Sequence, residues 1–472
     1  MKPVSIVMAA VGVALVMGVV WVLGPGARWV LEHVDGVAIG GRTGLSGKDL
    51  AAAVDAVRGR VLAVATGLAA LAAVYYTARN ADTARRTFQL GERGHVTDRY
   101  GKAVEQLGSA QAPVRLGGLY ALEQLAQDNP DPDFRQTVVD VICAYLRMPY
   151  TPPPDGTDPA EPAVPRAALG GVTAPASRDP HEERQVRLTA QRILTAHLRY
   201  QDPPARRWWQ FRTPDTDDRH WPGIRLDLTG ATLMDLDLDH CRVSDARFDG
   251  ATFTGHAGFN TATFTGYVVF NTATFTGRTG FNTATFIGDA WFGEATFIGN
   301  AWFDKATFTG YAGFGEATFI GDAGFREATF IGYAGFREAT FTGDAGFREA
   351  TFTGHAQFHG ATFTGYAWFG EATFIGNAWF DKATFTSHAE FREATFTRGV
   401  GFAEANGLER AYLGGARVAP AQGDVERVWP AGWQVVNVAD GWQTLRLAVP
   451  GEESEEEGGE AGPGGDAGDG QG

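Results

Sequence analysis

Three hydrophobic rhythms follow one another along the chain. The first is continuous. From Val4 to Leu23, 20 residues run without a charge, long enough for a helix to cross a bilayer core. A second, Ala-rich run from Val61 to Tyr76 ends in Tyr75 and Tyr76, with Arg79, Arg85 and Arg86 just beyond. That aromatic-then-basic order suits a membrane interface. Transmembrane helices are therefore predicted over 1–24 and 61–77, with membrane contact through 4–23 and 61–76. A loop and an amphipathic helix are predicted over 25–60, where Ser46 and Asp49 read as a capping box. The competing reading of the first run is a signal peptide, but its basic region is Lys2 alone and Gly24-Pro25-Gly26 follows where a small-residue cleavage site would lie. A buried soluble helix competes for the second run. Two spans put both termini on one side. The arginines after the second span place that side, with the repeat region, in the cytoplasm at the cell membrane. Arg28, Arg42, Lys48, Arg58 and Arg60 in the intervening loop act against this orientation.

The second rhythm is helical and covers 78–148. TDRYGKAVEQLG is amphipathic, VRLGGLYALEQLAQ sets Leu119, Leu122 and Leu125 on one face, and DFRQTVVDVICAYLRM starts after Pro130 and Pro132. The last two read as one HEAT-like hairpin. Residues 149–180 are rich in Pro, Ala and Gly and read as a linker. In 181–223, a helix from about Glu182 to Leu198 precedes Trp208, Trp209, Phe211 and Trp221, an aromatic group expected to cover the open end of the repeat region after it.

The third rhythm steps by five. Leu228, Leu233, Leu238, Val243, Phe248 and Phe253 each follow a small or medium inward residue two positions earlier: Leu226, Ala231, Leu236, Cys241, Ala246 and Ala251. Alternation of period two is strand-like. Five residues cannot hold a strand, a turn and a return, so each unit is one side of a coil. After Phe253 the step alternates six and five up to Phe402, and this ladder holds 28 of the 32 phenylalanines. The extra residue follows a glycine, as in Gly255-His256, Gly266-Tyr267, Gly288-Asp289 and Gly299-Asn300, so those glycines are expected at corners with positive φ. Phe meets Phe every 22 residues. About eight coils at ~4.8 Å give a rod of roughly 40 Å. The pattern stops after Phe402, and 406–450, with Trp429, Trp433 and Trp442, is expected to cap that end.

Stretches such as LDLTG-ATLMD-LDLDH and ATFTG resemble the bacterial pentapeptide-repeat proteins over about 224–405. The resemblance implies an all-β, right-handed quadrilateral β-helix with four sides per coil. The five-six alternation departs from the family's usual period and resembles a Phe-rich subgroup. TDRYGKAVEQLG and VRLGGLYALEQLA resemble the membrane-tethered members, which extends the likeness back to about residue 60.

Charge narrows the function. The formal net charge of −15 excludes the basic footprint of a general nucleic-acid binder, so direct nucleic-acid binding is not expected. Part of that charge sits in 451–472, an acidic tail without aromatics that reads as disordered. Cys143 and Cys241 are too far apart in sequence for a disulfide framework or a zinc-ligand spacing and read as inert thiols. No phosphate-binding loop, nucleophile elbow or metalloprotease motif is present, and His355 and His359 lack a ligand pattern around them. No enzyme, cofactor or metal is expected.

Function is left to the outward positions. Thr-Phe-Thr and Thr-Phe-Ile sides put β-branched residues outside, which suits strands. An ice-binding array is the sharper alternative, spoiled by the five isoleucines. Arg326-Glu327, Arg337-Glu338, Arg348-Glu349 and Arg392-Glu393 are expected to neutralise one another. Trp291, Trp302, Trp368 and Trp379 are the candidate partner-contact surface, with packing on the adjacent coil as the plainer alternative. Over 224–405, 20 acids against 11 bases give −9. Members of the resembled family that inhibit type II topoisomerase by DNA mimicry need an acidic rod. The expected function is a membrane-tethered, non-catalytic scaffold for unidentified protein partners, with topoisomerase inhibition and an ice-binding or envelope surface element as alternatives.

Overall fold

The computed structural model describes residues 3–39, 47–153, 179–200, 219–420 and 425–448, with only the backbone of 3–11 and 82–94. The linker from 154 to 178, Ser46, Trp208, Trp209, Phe211 and the acidic tail lie outside the described residues. The chain divides into two compact units, 1–98 and 99–472.

In the first unit, helix α1 (Pro3–Trp21) leads into a distorted turn, Val22–Gly26, and on into α2 (Ala27–His33). Gly24 leaves helical geometry (φ −93°, ψ −119°) beside Pro25, which has no amide to donate. The helix is thus kinked at Gly-Pro-Gly, not ended there. The predicted loop from 25 is corrected too. Ala27 and Leu31 of α2 bury against Val54 and Val57 of α3 (Gly47–Leu107). Helix α3 continues unbroken for 61 residues, so the second apolar run and the predicted helix from Thr97 are one element. Between them stand isolated glycines but no proline, and isolated glycines are tolerated in helices. Gly12–His33 and Gly47–Ala81 are long and apolar enough to cross a membrane, and Leu62, Val64, Leu68, Leu71 and Val74 are exposed.

The second unit begins with the last turns of α3. Helix α4 (Ala112–Asp128) crosses them closely at Gly118, where a Cβ would lie 2.7 Å from the Ala103 carbonyl oxygen. Helices α5 (Pro132–Arg147) and α6 (Pro180–Leu198) start at Asp131 and Asp179, each of which accepts an amide of its first turn. Helix α6 packs on both α4 and α5, so the expected hairpin has a third member. A buried ionic group locks them. Glu183 accepts from Tyr145 Oη (2.8 Å) and Arg187 Nε (3.0 Å) and pairs with Arg115 (3.1 Å), all three charges being almost wholly buried.

From Leu226 onward the chain is a parallel β-solenoid of about nine turns, one more than the eight expected. Its rungs fall on four faces. Face 1 carries Thr252-Phe253, face 2 Ala257-Gly258, face 3 Thr263-Phe264 and face 4 Val268-Val269, and each is repeated at 22-residue register. Faces 1 and 2 form one 14-stranded sheet, because the strand Thr252–Gly258 runs round the corner between them. All ladder phenylalanines are buried. Like rings stack between coils, as Phe325 does on Phe303 (4.8 Å) and Phe347 (4.9 Å), while neighbours within a coil meet edge to face. Ala fills the second inward position, where Phe columns leave no more room.

The corners correct one expectation. Of the glycines read as positive-φ corners, Gly255 has φ +76°, but Gly266, Gly288 and Gly299 do not. The left-handed position is at the opposite end of the side, occupied by thirteen non-glycine residues from Thr261 to Glu404 and by Gly360. The recurrent glycines are required for closeness instead. A Cβ on Gly299 would lie 2.5 Å from the Gly277 oxygen one coil earlier, and one on Gly332 would collide with the Gly310 oxygen. Gly332→Ala is therefore expected to cost about 1–3 kcal/mol as overpacking against rigid backbone. Gly360→Ala costs less, because its neighbour is the flexible Glu338 side chain and the repeat already holds side chains at that φ. Thermal unfolding of the two variants tests that order.

Both ends are closed. At the first coil, Gln136 exchanges hydrogen bonds with the backbone of Arg225 (both 2.9 Å) and Gln191 with that of Met234 (2.7 and 3.1 Å). The glutamine amides of α5 and α6 thus stand in for a missing rung. Of the aromatic group expected to cover this end, Trp208, Trp209 and Phe211 lie outside the described residues, and Trp221 is buried beside α6, stacked on His197 at 3.9 Å. At the far end the inward ladder continues past Phe402 through Leu408, Leu413 and Val418, which a Phe-based reading misses. Trp429 and Trp433 then lie over Phe402 (6.1 and 5.3 Å), and the hairpin Trp433–Asn437/Gln443–Leu447 pairs antiparallel onto Arg417–Val418.

Cys143 lies among the helices and Cys241 in the first coil, both buried, and burial pushes each thiol up to about 12. The folded chain is expected to resist iodoacetamide at pH 8.5 and to react at both cysteines once unfolded. Between pH 9 and 12 the unfolded thiols ionise while the folded ones stay protonated, so stability falls with rising pH over that window. Alkylation stoichiometry by mass spectrometry checks the first point, and denaturation midpoints across pH check the second.

Candidate interaction surface

The interior of the solenoid is filled, so chemistry is confined to its outward rows. The Thr and Ile rows of faces 1 and 3 are flat, with Ile287, Ile298, Ile320, Ile331 and Ile375 exposed. Four of the eight corner glutamates are ion-paired with described residues. Arg326 reaches Glu327 (3.7 Å), Arg337 reaches Glu338 (2.8 Å), Arg348 reaches Glu371 (3.5 Å) and Arg392 reaches Glu371, Glu390 and Glu393.

The four candidate tryptophans do not form one patch. Trp291 and Trp379 lie on face 4, four coils apart along Trp291, Gly313, Gly335, Gln357 and Trp379. Trp302 and Trp368 lie on face 2, three coils apart along Trp302, Gly324, Gly346 and Trp368. The faces alternate around the coil, so these two are opposite. Each of three indoles leans over the glycine one coil on: a Cβ at Gly324 would lie 2.5 Å from Trp302 Cε3, at Gly401 2.5 Å from Trp379, and at Gly313 3.3 Å from Trp291. Packing on the adjacent coil thus accounts for much of their shape, though Trp291 remains 38% exposed.

What lies between the tryptophans differs between the two faces. On face 4 the glycine floor is covered from within. Tyr311 lies against Trp291 (4.4 Å) and stacks on Tyr333 (5.3 Å), and the Tyr333 hydroxyl donates to Gln357. Burial raises both phenols above their usual pKa. On face 2 the equivalent positions hold Asp322 and Asp344, and the floor at Gly324 and Gly346 lies in an open notch of about 530 Å³ between Trp302 and Trp368. A Cβ on Gly346 would meet only the Ala323 oxygen, at 3.8 Å. Asp322 and Asp344 each accept, through Oδ1, the amide one coil on (3.1 and 2.9 Å), as does Asp304 on the other rim (3.0 Å). None of these three carboxylates forms an ion pair with a described residue.

The tryptophans stand out in the sequence, whereas this difference does not, although a signal for it exists. The 20 residues AWFGEATFIGNAWFDKATFT occur identically at 290–309 and 367–386, 77 residues apart. That offset is three and a half coils, so each copy puts its first tryptophan on the face where the other puts its second. Among the described residues, no group of three or more His, Cys, Asp or Glu is placed to hold a metal ion. His355 accepts the amide of Asn377 through Nδ1 (3.2 Å).

The fold and its outward rows define a parallel β-solenoid built from short repeats. The family model for pentapeptide repeats (nine copies) matches residues 259–307, 303–351, 347–395 and 358–406, and this repeat region belongs to the pentapeptide-repeat family. No curated protein and no solved structure matches the chain.

Proposed function

We propose that the chain is a membrane-tethered, non-catalytic scaffold whose solenoid presents rigid faces to protein partners in the cytoplasm. The carrying observation is the solenoid itself: its axis is filled by Phe and Ala, which leaves side-chain rows on a convex surface as its means of contact. A pocket able to enclose a substrate is the usual requirement for catalysis. Support for the tether comes from two helices apolar enough to span a membrane, with their apolar side chains exposed. The arginines after the second run favour the cytoplasmic orientation.

The test is twofold. The full chain should stay with membranes after an alkaline wash, and a reporter fused after Gly472 should be active only inside the cell. Release by the wash removes the tether, and an exported reporter reverses the orientation. Topoisomerase inhibition by DNA mimicry has less support. The ion pairs at the corners break up the acidic rows that would have to imitate duplex phosphates. A supercoiling assay in which the full chain inhibits at micromolar concentration would restore that reading.

A further inference from the structure

Resting on the scaffold reading, we propose that the notch on face 2 docks an arginine-bearing segment of a partner protein. The guanidinium groups lie over the open Gly346 end of the floor, stack against the indoles of Trp302 and Trp368, and pair with Asp322 and Asp344.

The opposite face supplies the comparison. Both faces carry a glycine floor between two tryptophans: the tryptophans come from the two copies of the duplicated 20 residues, and the glycines from the repeats between the copies. Face 4 shows what such a floor accepts: flat π-systems, in the form of Tyr311 and Tyr333, stacked beside Trp291. On face 2 the Trp302 indole leans over Gly324, the Gly346 end of the floor carries no ring, and carboxylates stand at the same two positions. A group that fits there is planar, stacks on indole and carries positive charge. Guanidinium meets all three conditions.

Charge points the same way. The notch rims hold Asp304, Asp322 and Asp344 together with Arg326 and Arg348. The two arginines are turned to Glu327 and Glu371, whereas none of the three aspartates has an ion-pair partner among the described residues. Their Oδ1 atoms are held by backbone amides one coil on, which fixes the carboxylates in place before any partner arrives. Preorganised acceptors make charge-assisted bonds without first losing side-chain freedom. The tryptophans stand three coils apart, about 14 Å at strand spacing, room for a short extended segment and too wide for a single ring.

The test uses the full chain in detergent micelles and a fluorescein-labelled peptide, Ac-Gly-Arg-Gly-Arg-Gly-amide, followed by anisotropy. Peptides with Lys, Tyr or Glu in place of Arg serve as comparisons. The double substitution Asp322→Tyr with Asp344→Tyr places on face 2 the residues that fill the same two positions on face 4. Binding of the Arg peptide is expected to weaken about tenfold or more in that variant and in Trp368→Gly, since each removes a stacking or charge-assisted contact. Trp291→Gly, on the opposite face, should leave it unchanged. Equal binding of the Tyr or Glu peptide, or equal binding by the plugged variant, overturns the proposal, as does absence of binding at millimolar peptide. Proximity capture in cells separates this from the broader reading. If wild type and plugged variant capture the same proteins, the notch fails alone. If wild type captures none, the scaffold reading fails.

Discussion

Phe325→Ala is expected to destabilise the solenoid by about 3–5 kcal/mol, the range for emptying a buried aromatic position. Phe325 is fully buried in a central coil, stacked above and below by Phe303 and Phe347 and met edge-on by Phe314 and Phe336 at 5.5 Å. The cavity cannot close by local collapse. The backbone on either side is held in ladder register, with the Phe325 amide donating to the Gly346 oxygen at 2.6 Å, so the walls cannot approach without breaking rungs. Phe325→Leu should cost less than about 1.5 kcal/mol, because Leu228, Leu233, Leu408 and Leu413 hold the same inward position in this chain. Chemical denaturation followed by circular dichroism measures both. A Leu variant as damaging as the Ala variant would mean that ring stacking, not volume, governs the core.

Glu183→Ala is expected to cost the helical cap about 3–5 kcal/mol, the usual penalty for leaving buried charge uncompensated. Two guanidinium groups depend on this carboxylate. Apart from it, Arg115 donates to the carbonyls of Ser109 and Ala110, and Arg187 donates to those of Leu146 and Met148 and lies over the Tyr150 ring at 4.6 Å. Tyr145, whose phenol is raised well above its usual pKa by burial and by its bond to Glu183, loses its acceptor as well. Since α5 and α6 supply the glutamines that finish the first coil, the damage should spread. Limited proteolysis should cut the helices first and then expose the edge at Leu226, with aggregation following. Glu183→Gln, which keeps the hydrogen bonds but not the charge, should fall between wild type and the Ala variant. An Ala variant with wild-type protease resistance would show that the ionic group is dispensable.

Much of this fold is legible in the sequence. A core built from one residue type at steps of five and six repeats too regularly to be misread, so the coil, its 22-residue period and its inward Ala and Phe all stand out. Legibility fades where the same position is held by other residues. Leu408, Leu413 and Val418 continue the ladder, but without Phe they look like ordinary sequence. The glycines are misassigned for a physical reason: a glycine needed for close approach between coils and one needed for positive φ look alike in one dimension. The kink at Gly24-Pro25 and the unbroken α3 escape a sequence reading because local breaker signals do not show whether the chain regains its helix. The notch is easily missed there because it depends on which of two opposite faces each tryptophan reaches, which only the half-coil offset of the duplicated 20 residues encodes.

The most direct measurement is site-specific photocrosslinking of the full chain in cells. A photoreactive residue replaces Arg348, on the rim of the notch, or His359, at the matching position on the filled face. The expected result is a protein adduct from position 348, suppressed by Asp322→Tyr with Asp344→Tyr, and none from position 359. No adduct from either position, in a chain that remains folded, would contradict the claim that this solenoid presents a partner-binding face.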